Sequence, residues 1–327
     1  MTGDVLVLGG GVAGLTTAVE LAERGHRVTV WSRDTAEATT SAVAGALWWP
    51  YRIEPEERIG PWALASLRVY ERLAVEGPPD GGNSGVRLVE GVHAGVSLDG
   101  LGPWGRAVDG LRAVGAGEVP GGFATGLRAR LPLVDMPVHL RWLQGRLRAA
   151  GGAVERRTAG GLERAAADAG ASAVVNCTGL GARELVPDAS LRPVRGQLVV
   201  VENPGVTEWF TAADPAGEET TYLLPHGNRL LLGGTAQEGG TSTEPDGPTA
   251  AAIVRRCARI RPEVARARVL GHRVGLRPCR AEGVRLEAEA LPDGRPLVHN
   301  YGHGGAGVTV AWGCAHTAAD LVEAAAG

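Results

Sequence analysis

The first clear pattern of apolar and polar positions lies at the start of the chain. Val5-Leu-Val-Leu8 is an unbroken apolar run, as expected of a strand buried on both faces in a parallel sheet. A glycine-rich turn, Gly9 to Gly14, leads into a segment whose apolar residues Val12, Leu15, Val19 and Ala22 recur at helical spacing. Gly25 is placed to stop that helix, and Val28-Thr-Val-Trp31 predicts a second strand. Residues 4–31 therefore make one β-α-β unit of about 30 residues. Asp135, Met136 and Pro137 open another predicted helix, with Leu140, Leu143 and Leu147 on one face and Gly151-Gly152 as its end. Ala173-Val-Val-Asn176 is a further buried strand running into the glycine turn "CTGLG". The last segment, "LVHNYG" into "GVTVAWGCAHTAADLVEAAA", reads as strand, glycine turn and helix.

The intervening stretches have a different character. Residues 77–126 are rich in Gly and Pro with short apolar runs, which fits β-structure and loops. Gln197–Glu202, Thr221–Leu224 and Arg229–Leu232, the last two joined by "PHGN", predict an antiparallel sheet with a hairpin. The fold class is α/β, or α+β overall: a doubly wound nucleotide domain interleaved in sequence with a β-rich antiparallel domain. The expected division gives residues 1–47, 137–190 and 268–327 to the first domain, and 48–136 and 191–267 to the second. A cleft between two such regions is where a ligand usually binds.

Charge and composition narrow the chemistry. Thirty-six acidic and 33 basic residues leave a net charge of -3, so no global field favours nucleic acid or an anionic membrane. A small-molecule partner is expected instead. Every basic residue is Arg, which excludes a Schiff-base lysine and a P-loop lysine. Cys177, Cys257, Cys279 and Cys314 are far apart and form no C-x-x-C pair, so neither a zinc site nor a redox pair is suggested, and no metal is expected. A strand begins almost at Met1 without a basic leader, and no apolar run approaches ~20 residues. A soluble, cytoplasmic protein is the expectation.

In "VLVLGGGVAGLTTAVELAERGHRVTVWSR", Gly9 allows the tight turn, Gly11 lets backbone approach a pyrophosphate, and Gly14 lets helix and strand pack closely. Val12 and Ala13 begin the helix whose free N–H groups and positive dipole end would face the phosphates. A dinucleotide is the expected ligand. The end of the second strand departs from the usual pattern: Ser32 and Arg33 stand where an acid normally binds the adenosine ribose, and the first acid is Asp34. Either Asp34 reaches the ribose after a small shift of the turn, or Ser32 and Arg33 contact it. The loop alone would suit NADP; the remaining blocks argue against it.

"TTSAVAGALWWPY" (Thr39 to Tyr51), "VVNCTGLGA", "RPVRGQ", "YLLP", "GLRP" and "HNYGHGGAGVT" together resemble the D-amino-acid oxidase family of flavoproteins, in the family's order from residue 4 to about residue 320. The resemblance implies a Rossmann-like FAD-binding domain of the glutathione-reductase type. FAD would be extended, with its diphosphate on the first glycine loop and its isoalloxazine ring at the interface with the β-rich substrate domain. Thr40 and Ser41 would follow the pyrophosphate, Gly45, Ala46 and Leu47 belong to the same block, and Thr178 lies in the "CTG" turn near the cofactor. In the C-terminal block Gly302, Gly304, Gly305, Gly307, Val308 and Thr309 would place a helix N-terminus toward the flavin N1 and C2 carbonyl, where negative charge collects on reduction.

The resemblance also implies a substrate site. Arg277 matches the carboxylate clamp, and a guanidinium suits that task through two parallel hydrogen bonds. Tyr222 matches the hydroxyl that binds the second carboxylate oxygen, with a core tyrosine as the alternative; the Gly305 carbonyl would accept from the substrate amine. Trp48, Trp49, Tyr51, Trp209 and Phe210 are candidates for the side-chain pocket. The family's lid corresponds to "AADPAGEETT" (Ala212 to Thr221), which is short and lacks the closing aromatic residue. No acid or base is expected, and His303 is read as a structural hydrogen-bonder. The implied reaction is oxidative deamination of D-amino acids, neutral or basic, by hydride transfer to flavin N5, with oxygen as acceptor and a 2-oxo acid, ammonia and hydrogen peroxide as products. D-aspartate oxidase and glycine or sarcosine oxidase are the near alternatives. An NADP-dependent reductase and a non-catalytic nucleotide-binding protein are the distant ones. A homodimer is left open.

Overall fold

In the computed structural model the described residues are 3–50, 53, 55–78, 81–213 and 219–325. Their strands form two sheets. The first has six strands in the order β14-β15-β7-β1-β2-β6: β1 (Asp4–Leu8), β2 (Arg27–Ser32), β6 (Ala153–Arg156), β7 (Ala173–Asn176), β14 (Arg285–Ala290) and β15 (Pro296–Tyr301). Its pairs are parallel except for the β14–β15 hairpin. Leu6 and Leu8 face the opposite side from Val5 and Val7, and all four are buried, which accounts for the unbroken apolar run.

On one face of this sheet lie α1 (Val12–Glu23), α3 (Met136–Ala149) and α7 (Gly307–Ala325). The other face is covered by α4 (Leu162–Ala169), through Leu162, Ala165 and Ala166. The predicted helix after Asp135 is present, with Leu140, Leu143 and Leu147 wholly buried. Its end, like that of α1, is a glycine of positive φ, Gly151 at 84° and Gly25 at 93°. The short α5 (Ala182–Leu185) follows the turn after β7.

After the first β-α-β unit comes α2 (Glu56–Val75), a 20-residue helix with Pro61 inside it that the apolar pattern does not predict. Ile59, Trp62, Ala63, Leu67, Tyr70 and Leu73 form its buried stripe. That stripe packs on α7: Trp62 Nε1 donates to Thr317 Oγ1 (3.0 Å), Tyr70 Oη to the Val308 carbonyl (2.9 Å), and Gly313 N–H to Ser66 Oγ (3.0 Å).

The second sheet contains nine strands: β3 (Val86–Ala94), β4 (Arg112–Gly115), β5 (Thr125–Val134), β8 (Leu191–Glu202), β9 (Trp209–Ala213), β10 (Glu219–His226), β11 (Arg229–Thr235), β12 (Gln237–Glu238) and β13 (Val269–Arg280). The predicted hairpin is β10–β11, turning at Gly227-Asn228. The sheet is mixed rather than purely antiparallel, because β9 runs parallel to β3. One face, carrying Leu198, Val200, Trp209, Leu224 and Leu231, joins the core of α1, α2 and α7. The other is covered by α6 (Gly247–Ile260), through Ala250, Ile253 and Cys257.

By hydrogen bonding β13 pairs along its length with β8, so residues 269–280 sit in the nine-stranded sheet although they follow the division expected at residue 268. This strand runs from the second sheet to the nucleotide unit: Gly304 N–H donates to the Pro278 carbonyl (3.0 Å), and Cys279 bridges His303. No helix among the described residues is long and apolar enough to cross a membrane.

Candidate cofactor and substrate site

A cavity of about 470 Å³ opens at the carboxyl ends of β1, β2, β7 and β15, where doubly wound sheets hold their ligands. At one side the glycine turn delivers Gly9, Gly11, Val12 and Ala13 to the cavity wall. Ser41 caps this helix start, accepting from the Val12 N–H at 2.9 Å. A Cβ on Gly11 would come to 3.0 Å from the same hydroxyl, so a larger residue there would push Ser41 back by a few tenths of an ångström. At the other side the C-terminal turn contributes Gly304, Gly305, Gly307 and Val308, the beginning of α7. Two helix N-termini thus face one elongated space. That donor set fits an anionic, extended dinucleotide.

Ser32, Arg33, Asp34, Thr40 and Thr178 also line the cavity. Asp34 and Arg33 are paired with each other at its edge, Arg33 Nε and Nη2 both lying 3.1 Å from Asp34 Oδ2, while Ser32 Oγ donates to the Asp34 carbonyl (2.7 Å). Thr40 Oγ1 donates to the Leu276 carbonyl (3.3 Å), tying this loop to β13. Thr178 Oγ1 donates to Asn176 Oδ1 at 2.7 Å.

The other expected cofactor residues are not on the cavity wall. Gly14 is a packing position: a Cβ there would lie 1.9 Å from the Gly9 carbonyl oxygen. Gly302, at φ 86°, packs against Arg280. Thr309 reaches the preceding loop instead, its hydroxyl donating to the Trp49 carbonyl at 3.0 Å. Gly45, Ala46 and Leu47 belong to that loop and lie against the second sheet, where Val134 N–H donates to the Ala46 carbonyl and Leu47 bridges Leu133. Ala46 holds φ at 58°, the one non-glycine of positive φ among the described residues. Such a backbone costs on the order of 1–3 kcal/mol and persists where neighbours enforce it.

Several wall residues were not among the site candidates, although three of them belong to the "GLRP" block. Val274, Gly275, Leu276 and Pro278 of β13 line the cavity, as do Thr243 and Arg157. The Arg157 guanidinium stacks 3.8 Å over Trp31 and donates to Asp168 (2.7 Å).

Arg277 lies off this wall. Alternation along β13 sends its side chain to the face opposite Leu276 and Pro278. There it fills the space above Gly196 on β8: a Cβ at Gly196 would sit 2.5 Å from both Nη1 and Nη2. Arg277 Nη1 donates to the Thr235 carbonyl at 2.8 Å. Tyr222 occupies the same side, its ring over Gly233 and Gly234 and beside Gly45. Burial pushes its phenol pKa up, and the nearby positive charge of Arg277 opposes that. Arg277 and Tyr222 are therefore brought together, while Gly305 lies across the Gly304–Pro278 contact.

Of the aromatic candidates, Trp48 is buried with Nε1 donating to the Ala63 carbonyl (3.0 Å), Trp209 donates to the Val89 carbonyl (2.8 Å), and Phe210 belongs to the core under α6. These three are core residues. Trp49 stacks on His93, which is bonded to Thr211, next to Tyr222 in the sheet register. Tyr51 and Asp214 to Glu218 of the lid segment lie outside the described residues. His303 is buried, with Nε2 3.0 Å from Asn300 Oδ1, and burial pushes its pKa down to about 4. It is a neutral, structurally bonded imidazole at neutral pH.

Comparison with known proteins agrees with this geometry. Residues 4–321 match the family described as FAD dependent oxidoreductase (DAO). A D-amino-acid oxidase of Streptomyces coelicolor is 63% identical over 322 residues, 98% of this chain and 97% of that protein. A D-amino-acid oxidase of Rubrobacter xylanophilus is 49% identical over 322 residues, 98% of this chain and 96% of that one. In fold, the chain superposes on glycine oxidase from Geobacillus kaustophilus with a TM-score of 0.81 at 22% identity, covering 99% of this chain and 95% of that one. The nucleotide cavity, the two helix N-termini that face it and the match along nearly the whole chain lead to one conclusion: this chain belongs to the DAO family of FAD-dependent oxidoreductases.

Proposed function

We propose that the protein is a D-amino-acid oxidase that acts on neutral or basic D-amino acids and uses oxygen as the final acceptor. The observation that carries this reading is the seat of Arg277, a guanidinium held over Gly196 beside the Tyr222 phenol, on the face of β13 opposite Leu276 and Pro278. Arg277 binds the substrate carboxylate in a fork of two hydrogen bonds, and Tyr222 donates to its second oxygen. The Gly305 carbonyl accepts from the amine. With the carboxylate and the amine both held, the side of the α-carbon that faces the cofactor is the third reference, so only one enantiomer presents its α-hydrogen there. FAD, when bound, supplies the hydride acceptor for that carbon. The Ser41-capped α1 and Thr40 hold the diphosphate, and α7 offers its N-terminal N–H groups to charge that develops on the ring system. Gly45, Ala46 and Leu47 support the ring from the loop that Thr309 tethers.

Most of the rate then comes from orientation of the substrate against the cofactor. The imino acid leaves and hydrolyses to a 2-oxo acid and ammonia. A panel of D- and L-amino acids assayed by peroxide release tests the reading. Peroxide is expected from neutral and basic D-amino acids and not from their L-enantiomers; release from D-aspartate or glycine alone would overturn the substrate assignment.

A further inference from the structure

The block "RPVRGQ" contains two side chains that the substrate and cofactor contacts leave unused. Gly196 seats Arg277, but its neighbours Arg195 and Gln197 point to the opposite face of β8. Both are almost fully buried, at 5% and 1% exposure. Arg195 is a buried cation that, among the described residues, hydrogen-bonds to neutral acceptors: Nε donates to the Ser242 carbonyl (2.9 Å), Nη1 to Gln237 Oε1 (2.8 Å), and Nη2 to Gln197 Oε1 (2.8 Å) and the Glu244 carbonyl (2.6 Å). Gln197 adds a bond to the Asp246 carbonyl (2.8 Å) and accepts from its N–H (2.9 Å). Asp246 in turn caps α6 by accepting from Thr249 N–H (2.8 Å).

Every one of these bonds ends on Gln197 itself or on the segment from Gln237 to Asp246, which joins β12 to α6 and is mostly exposed. Thr243, in the middle of that segment, forms part of the nucleotide cavity wall. Removing a guanidinium from water is costly, and in exchange Arg195 bonds two backbone carbonyls and the Gln237 side chain of the segment, besides Gln197. A planar fork of five donors reaches several chain positions at once in a way no neutral side chain does.

We propose that Arg195 and Gln197 form a latch that holds residues 237–246 closed over the nucleotide cavity and so sets how tightly FAD is retained. Arg195 is a positioning residue: it acts on the cofactor through Thr243 and touches no reacting atom. The inference concerns FAD retention and stands apart from the choice of amino acid.

The test uses apoprotein titrated with FAD by flavin fluorescence, together with cleavage by a glutamate-specific protease, whose site Glu238, followed by Gly239, lies in the segment. Arg195→Gln is expected to raise the Kd for FAD about tenfold or more and to speed cleavage after Glu238. Arg195→Lys keeps the charge without the fork, and is expected to behave as Arg195→Gln does. Full rescue by lysine would show that charge, not latching, matters. Gln197→Ala, a milder change, is expected to shift both readouts in the same direction and serves if Arg195→Gln does not fold. Faster cleavage with an unchanged Kd, or no change in either, would overturn the latch. Wild-type protein that binds FAD yet oxidises no D-amino acid would defeat the substrate reading and leave the latch untouched.

Discussion

The proposed carboxylate clamp rests on a single side chain, Arg277, whose surroundings suit an arginine. The guanidinium lies over a glycine, is held by one carbonyl bond through Nη1, and shares its side of the strand with a phenol whose burial has raised its pKa. Arg277→Ala is expected to lower kcat/KM by about a hundredfold or more, the loss typical of truncating a desolvated, hydrogen-bonded charge partner, while FAD stays bound. Unchanged kcat/KM would remove Arg277 from the site. The "GLRP" block made this residue legible in the sequence. Its seat was not legible, because Gly196 becomes its neighbour only through the pairing of β8 with β13. The strained Ala46 was equally hidden, since alanine gives no local sign of a positive φ.

Among the elements, β13 links the two halves of the site. Leu276 and Pro278 face the cavity from one side of the strand, and Arg277 leaves from the other. Gly196→Ala on the paired strand would place a methyl group 2.5 Å from both Nη atoms, and the flexible guanidinium must then move away. The expected result is a raised KM for the amino acid with FAD affinity retained; an unaltered KM would show that the seat is not needed. The β-α-β start, the helix after Asp135 and the β10–β11 hairpin were legible because periodicity and glycine stops coincided there. Helix α2 was not, because Gly60 and Pro61 interrupt a pattern whose apolar stripe becomes clear only against α7. The parallel β3–β9 pair was beyond the sequence for another reason: pairing direction depends on how distant segments meet.

For the molecule as a whole, burial of histidines governs the response to acid. His93, His139, His226 and His303 are each pushed down to about 4 by burial. An unfolded histidine titrates near ~6.5, so between about pH 6.5 and 4 the unfolded chain holds more protons than the folded one. Stability is therefore retained above this window and lost as pH falls through it, by up to about 1.4 kcal/mol per pH unit for each histidine. Unfolding midpoints of the apoprotein are expected to be level from pH 7 to 8 and to fall steeply from 6.5 toward 4. A flat profile across that interval would contradict the neutral, buried state of these side chains. The interleaving of the two regions along the chain was legible as a change of pattern, whereas the shared core of α1, α2, α7 and the inner face of the second sheet emerged only in three dimensions.

In the proposed reaction this fold brings a D-amino acid to a bound flavin in a handed grip. Anaerobic mixing of the purified yellow holoprotein with D-alanine or D-valine, followed at the flavin's visible absorption band, tests it most directly. The expected result is rapid bleaching by the D-enantiomers and none by the L-enantiomers; equal bleaching by both, or a flavin that neither reduces, would contradict it.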